Sequence, residues 1–223
     1  MNKSFSEQSI QVATVLQGNY SYNNKSPFHS DKKYPEFKRI GLQCGEDINP
    51  AYESIRQTFF MLGLDREHYD TCNWNPLSEY IRPGDRVVIK PNLVMHNKPS
   101  LNNGYSVTTH GSIIRAVIDY TFLALDGTGE IIVADTPLQS ADFDKLVKDI
   151  GLDIIQEFYE KTFDTRIKVI DLRNEWVMVD DKSGYILGKK KLSGDPNGYC
   201  EIDLGNKSEL SAISKETNRF SVM

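Results

Sequence analysis

Two short apolar runs, Val87-Val88-Ile89 and Glu130 to Ala134 (EIIVA), constrain this chain more than any other feature in it. Both are dominated by β-branched residues and bounded by turn chemistry. Ile81-Arg82-Pro83-Gly84-Asp85 precedes the first, Gly127 and Gly129 precede the second, and Asp135-Thr136-Pro137 follows it. Runs of this length and composition suit strands of a parallel sheet, buried on both faces. Between them, from about Ser112, the residues Ile113, Ile114, Val117, Ile118, Phe122 and Leu125 recur at helical spacing and form a broad apolar face. Strand, loop, helix, tight turn and strand make a β-α-β crossover, which is expected to be right-handed.

The flanking sequence extends this α/β grammar. Residues 9–16 suit a strand, and the polar stretch Gly18 to Pro35 reads as a mobile arm or long loop. Phe37 to Gln43 suits a further short strand. Pro50 stands where a first-turn proline belongs, with Tyr52, Ile55, Phe59 and Leu62 at helical spacing and Gly63 as the stop, which predicts an amphipathic helix covering a sheet face. After the second strand, a helix is expected over Ser140 to Ile150, with Phe143, Leu146, Val147 and Ile150 inward. Another is expected around Ile154 to Tyr159, then a third strand at Ile167 to Leu172. Beyond Arg173, Val177 to Val179, Tyr185 to Leu187 and Tyr199 to Leu204 are separated by turn sequences and predict antiparallel hairpins on the edge of the main sheet. The expected fold is therefore α/β, a mainly parallel sheet with flanking helices plus C-terminal antiparallel hairpins. The expected division is a strand and arm at 1–36, an α/β domain at 37–207 and a polar tail at 208–223.

Composition excludes several classes. With 39% hydrophobic residues among 223, the chain can bury a real core. A formal charge of −5 argues against a general nucleic-acid binder. No run approaches the ~20 apolar residues of a membrane helix, and the first residues show no signal-peptide pattern, so a cytoplasmic location is expected. Cys44, Cys72 and Cys200 are scattered and odd in number, without a C-x-x-C pair, so reduced structural thiols are expected and no iron–sulfur cluster.

In open parallel sheets, ligands gather beyond the carboxyl ends of the strands. The first strand ends in Lys90-Pro91-Asn92 and the second in Asp135-Thr136. Parallel neighbours lie about 4.8 Å apart, which would put Lys90 and Asp135 on one rim. The long loop from Pro91 to His110 adds Ser106, Thr108, Thr109 and His110, and Ser112 opens the helix, whose unpaired N–H groups favour an anion. Lys90, Asn92, Thr108, Thr109, Ser112 and Thr136 are thus candidate ligand-binding residues. Asp135 is a candidate base or divalent-cation ligand, and His110 a candidate acid or base. Plainer roles compete: Lys90 and Asp135 as a simple ion pair, Thr109 as a helix N-cap, and His110 as a surface residue. His96 reads as incidental, and His29 and His68 fit no pattern. Gly184-x-x-x-Gly188-Lys189 lacks the spacing and hydroxyl of a P-loop, and Gly127-Thr128-Gly129 lies on the wrong side of its strand for a dinucleotide fingerprint.

Gly84-Asp85-Arg86-Val87-Val88-Ile89-Lys90-Pro91-Asn92-Leu93-Val94 resembles the K-P-N signature of the family known as domain of unknown function 362. Thr108-Thr109-His110, the helix to Leu125 and the strand ending in Asp135-Thr136-Pro137 continue the likeness, over about residues 38–155. The resemblance implies an α/β domain without a settled activity. It also implies relatives that carry ferredoxin-like iron–sulfur modules or look like parts of cell-surface polysaccharide or other biosynthetic systems. This chain departs from the pattern in lacking the cluster-binding cysteines and a later segment with a P-K-x-K-x-H-like stretch. That departure raises the expectation of a truncated form whose site is completed by a homo-oligomer or another partner. The expectation is an enzyme, or half of its site, acting on a phosphorylated or carboxylated small molecule. The alternatives are a non-catalytic binding or assembly module and, more remotely, an iron–sulfur redox partner.

Overall fold

A computed structural model describes residues 11–16, 18, 21–96, 107–180 and 182–213. Ser106 of the long loop and the last residues of the polar tail lie outside these described residues. Three parallel strands, β1 (Arg86–Ile89), β2 (Glu130–Asp135) and β3 (Lys168–Asp171), form a sheet in the order β1-β2-β3. Helix α2 (Gly111–Leu125) connects β1 to β2. Helices α3 (Phe143–Asp149) and α4 (Leu152–Phe163) connect β2 to β3. Arg86 pairs in register with Glu130, and Asp135 with Asp171. The fold is the expected α/β one, with a separate antiparallel pair, β4 (Glu175–Val179) and β5 (Ile186–Lys191).

Side chains alternate between faces along a strand. Val87, Ile89, Ile131, Val133 and Val169 point to one face and join a cluster with Ile114, Ile118 and Phe122 of α2, Leu146 of α3, and Ile155 and Tyr159 of α4. The opposite face is less covered, and Val88 is 57% exposed. β1 is therefore an edge strand open on one face, not the doubly buried strand its composition suggests; only β2, between two neighbours, is buried along its length. Gly129 makes the turn into β2 possible: its φ is +97°, and a Cβ there would lie 2.4 Å from the Asp85 carbonyl oxygen.

Helix α1 (Pro50–Met61) starts at Pro50 as expected, but it packs on α2 instead of on the sheet. Tyr52 of α1 joins Ala116, Tyr120 and Leu123 of α2, Trp74, Tyr34 and Phe37 in a second apolar cluster. α2 is thus buried on nearly every side, including two residues that interrupt its apolar pattern. Arg115 and Asp119, one turn apart, pair at 2.7 Å with side-chain exposures of 0% and 1%. Tyr52 and Tyr159 donate their hydroxyls to the same carboxylate. A parallel arrangement ties Glu36 to Arg56 at 2.8 Å and to the Tyr120 hydroxyl at 2.9 Å.

Several local expectations are corrected. Residues 11–16 form no strand. Residues 35–40 form a 3₁₀ turn, because Pro35 opens it, buried Glu36 is drawn to Arg56, and Gly41 ends it at φ +66°. Residues 21–35, polar in sequence, are packed against the body through Phe28 in the main core, buried Ser30 and Tyr34, and an Asn49 side chain donating to the Phe28 and His29 carbonyls. Beyond β3 there is, among the described residues, one hairpin instead of several. Tyr199 to Leu204 is irregular, tethered by the Tyr199 hydroxyl to the Leu172 carbonyl at 2.7 Å.

Candidate functional site at the strand ends

The register of β1 on β2 brings the two strand ends together. Lys90 Nζ lies 3.0 Å from Asp135 Oδ1, across the rim, as the sequence reading anticipated. The two partners differ in setting, the lysine side chain being 59% exposed and the carboxylate 6%. Asp135 Oδ2 accepts the Leu93 backbone N–H at 2.6 Å, so the carboxylate is fixed from two sides. The ammonium also donates to Asn92 Oδ1 at 3.2 Å and the Pro91 carbonyl at 3.3 Å, both at the long end of the range.

The loop after β1 returns onto the start of α2. Thr109 Oγ1 accepts the Asn92 N–H at 3.1 Å, Thr109 N donates to the Asn92 carbonyl at 2.8 Å, and Leu93 bridges to Thr108. Thr109 therefore holds the K-P-N turn instead of capping the helix. The cap is His110: its Nδ1 accepts the Ser112 N–H at 3.1 Å and faces Ser112 Oγ at 2.9 Å. An accepting Nδ1 puts the proton on Nε2. The imidazole is stacked on Tyr22 at 4.3 Å and edged by Phe28, and its burial pushes its pKa down to about 4, so it is neutral at pH 7. Gly111 is required beside it, since a Cβ would sit 2.0 Å from the Ile150 carbonyl oxygen.

Of the residues anticipated from sequence, Lys90, Asn92 and Thr136 are exposed on the rim and Thr109 is half-buried. Thr108, His110, Ser112 and Asp135 are buried. Thr108 Oγ1 is turned to the Met95 backbone. His96, read as incidental, is buried and accepts the Asp142 N–H at 3.0 Å with Nδ1, at the start of α3. Two rim residues escaped the sequence reading. Asp171 is the register partner of Asp135, and Arg173 clamps it with Nε and Nη2 at 2.9 and 2.7 Å. Arg173 Nη1 also donates to the carbonyls of Leu138, Gln139 and Ala141, fixing the loop after β2. The only available signal was position, an acidic residue ending a third strand and a basic one two residues later.

Among the described residues no group of three or more His, Cys, Asp or Glu side chains is placed to hold a metal ion. With one Asp135 oxygen on Lys90 and the other on Leu93 N–H, a cation at Asp135 would have to displace the ammonium. Also among the described residues, no helix is long and apolar enough to cross a membrane.

Residues 87–194 match the model of a family described as Domain of unknown function (DUF362). The likeness carried by Lys90-Pro91-Asn92 thus holds, but over the sheet and hairpin, later in the chain than the span 38–155 anticipated from sequence. No curated protein and no solved structure matches the chain.

Proposed function

We propose that the DUF362 segment of this chain binds an anionic small molecule, phosphorylated or carboxylated, at the Lys90 rim. The observation that carries this reading is the asymmetry of the Lys90–Asp135 pair: the carboxylate is sealed and held by a backbone N–H, while the ammonium faces solvent. The two long hydrogen bonds from Nζ, to Asn92 and Pro91, are the ones a ligand oxygen would replace at least cost. Thr136 and Thr109 would add hydroxyl contacts, with Asn92 orienting the ligand. Asp135 would keep the ammonium in place, and a divalent cation would reach its carboxylate only by displacing that ammonium. His110, neutral and capping α2, would set the loop geometry.

Thermal unfolding in inorganic phosphate or citrate tests this, because a ligand that binds only the folded protein raises its stability with concentration. The expected result is an anion-dependent rise in Tm for the wild-type protein that is lost in Lys90→Ala. A folded Lys90→Ala protein that keeps the whole rise overturns the reading.

A second reading, an assembly module, draws on the apolar side chains around β5. Tyr185, Ile186 and Leu187 are 76%, 65% and 69% exposed, and Ile202 and Leu204, later in the chain, are exposed as well. Light scattering decides it: a strict monomer across the accessible concentration range removes a self-assembly role.

A further inference from the structure

A cavity of about 680 Å³ lies beside the second apolar cluster, lined almost wholly by residues outside the family-matched segment. It belongs to a closed loop. Ser30 and Cys44 form a parallel bridge, and Gly45 N–H donates to the Ser30 carbonyl at 2.7 Å. Loops whose ends meet and whose own side chains fill them are compact and frequently functional. This one is pinned from inside, since Glu36 is fully buried against Arg56 and Tyr120, and Tyr34 and Phe37 are buried beside it. The walls are therefore set before any ligand arrives, in the size range of small-molecule sites.

The chemistry of the lining is uneven. Tyr34, Phe37 and Leu42 supply an apolar wall, and Lys32, Lys33 and Lys38 stand around it. Lys32 lies 3.5 Å from Glu53, whereas Lys33 and Lys38 have no ion-pair partner among the described residues. The acidic lining residue, Asp119, is already compensated by Arg115 and does not offset the lysines. Lys32 is offset by Glu53, which with Asp31 also acts on Tyr34, so the positive charge offered to a ligand at this wall is that of Lys33 and Lys38.

We infer that this cavity binds an anionic group carried on a flat apolar body. Lys33 and Lys38 meet the anion, and Tyr34, Phe37 and Leu42 cover the body. The site is separate from the Lys90 rim and stands or falls independently of it.

Isothermal titration with 2-naphthyl phosphate, 2-naphthoate, 2-naphthol and inorganic phosphate tests the pairing of charge and body, on the full chain. At least one of the two naphthyl anions is expected to bind about tenfold or more tightly than 2-naphthol or phosphate. The stronger of the two identifies a phosphoryl or a carboxylate group. The double variant Lys33→Glu/Lys38→Glu is expected to weaken that binding about tenfold or more, with Lys33→Gln/Lys38→Gln in between; both lysines are exposed, so the variants keep their fold. Location is read from Cys44, which lines the cavity, against the exposed Cys72 and Cys200. The bound anion slows alkylation of Cys44 by iodoacetamide and leaves the other two unchanged. Equal affinity for 2-naphthol and the naphthyl anions, undiminished binding in the charge-reversed variant, or an unprotected Cys44 each overturns the inference.

Discussion

The inside of α2 and the end of β1 carry the same kind of bond in opposite settings. Arg115 and Asp119 are both sealed, and the carboxylate is surrounded by two phenols as well. Lys90 and Asp135 are nearly as close, at 3.0 Å, yet the cation lies largely in water. A sealed pair cannot exchange its partner, because an isolated buried charge costs several kcal/mol. A half-open pair can take a further partner on its exposed side, because a ligand oxygen meets the ammonium's solvent-facing donors while the buried Asp135 carboxylate keeps its contact. The first pair holds helices α1, α2 and α4 in one arrangement, and the second is open to a further partner.

The contrast can be broken by mutation. Asp119→Ala leaves the Arg115 cation and two phenols without their acceptor and is expected to cost about 3–5 kcal/mol, read from urea unfolding at pH 7; a loss below that would put water inside the network. His110→Asn keeps a capping oxygen but removes a titration. The unfolded chain binds the imidazole proton near pH 6.5, and the folded protein resists it down to about 4. Stability is therefore full above pH 6.5 and falls as the pH drops from there to 4. The variant is expected to lose about 2–3 kcal/mol less than wild type between pH 7 and pH 4. His29, shifted the same way by burial and by the Arg115 charge, titrates in both proteins. Asp171→Asn leaves Arg173 with its three carbonyl acceptors and is expected to cost about 1–3 kcal/mol by the same urea measurement. Lys90→Gln, which leaves the buried Asp135 carboxylate an amide donor in place of the ammonium, is expected to cost about 1–2 kcal/mol. A loss as large as that of Asp119→Ala would erase the distinction between the two regions.

The β-α-β unit was legible because its information is local. β-branched runs between turn residues and a helical apolar period locate β1, α2 and β2, and strand adjacency then brings Lys90 to Asp135 without any knowledge of side chains. Other features depend on what is packed nearby. Glu36 stands just before what reads as a strand, and it is buried in a 3₁₀ turn only because Arg56 and Tyr120 come from distant helices. Arg115 and Asp119 have helix-pair spacing, but nothing in that spacing reveals that α1 seals them in. The role of Arg173 was hidden for a similar reason, since its acceptors are backbone carbonyls that sequence does not distinguish. The burial of residues 21–35 escaped composition because a few anchors, Phe28 above all, hold an otherwise polar stretch.

The outer margin of β1 has a consequence for the behaviour of the protein in concentrated solution. A strand with unsatisfied peptide groups and a solvent-facing valine invites strand addition and aggregation. Here the four-residue ribbon begins with Arg86 and is followed by Lys90, and Arg86 and Lys168 both bind the Glu130 carboxylate where the sheet begins. Brevity and charged side chains at both ends make this margin a poor template for a second strand. The lysine that marks the rim thereby also helps to keep the protein dispersed.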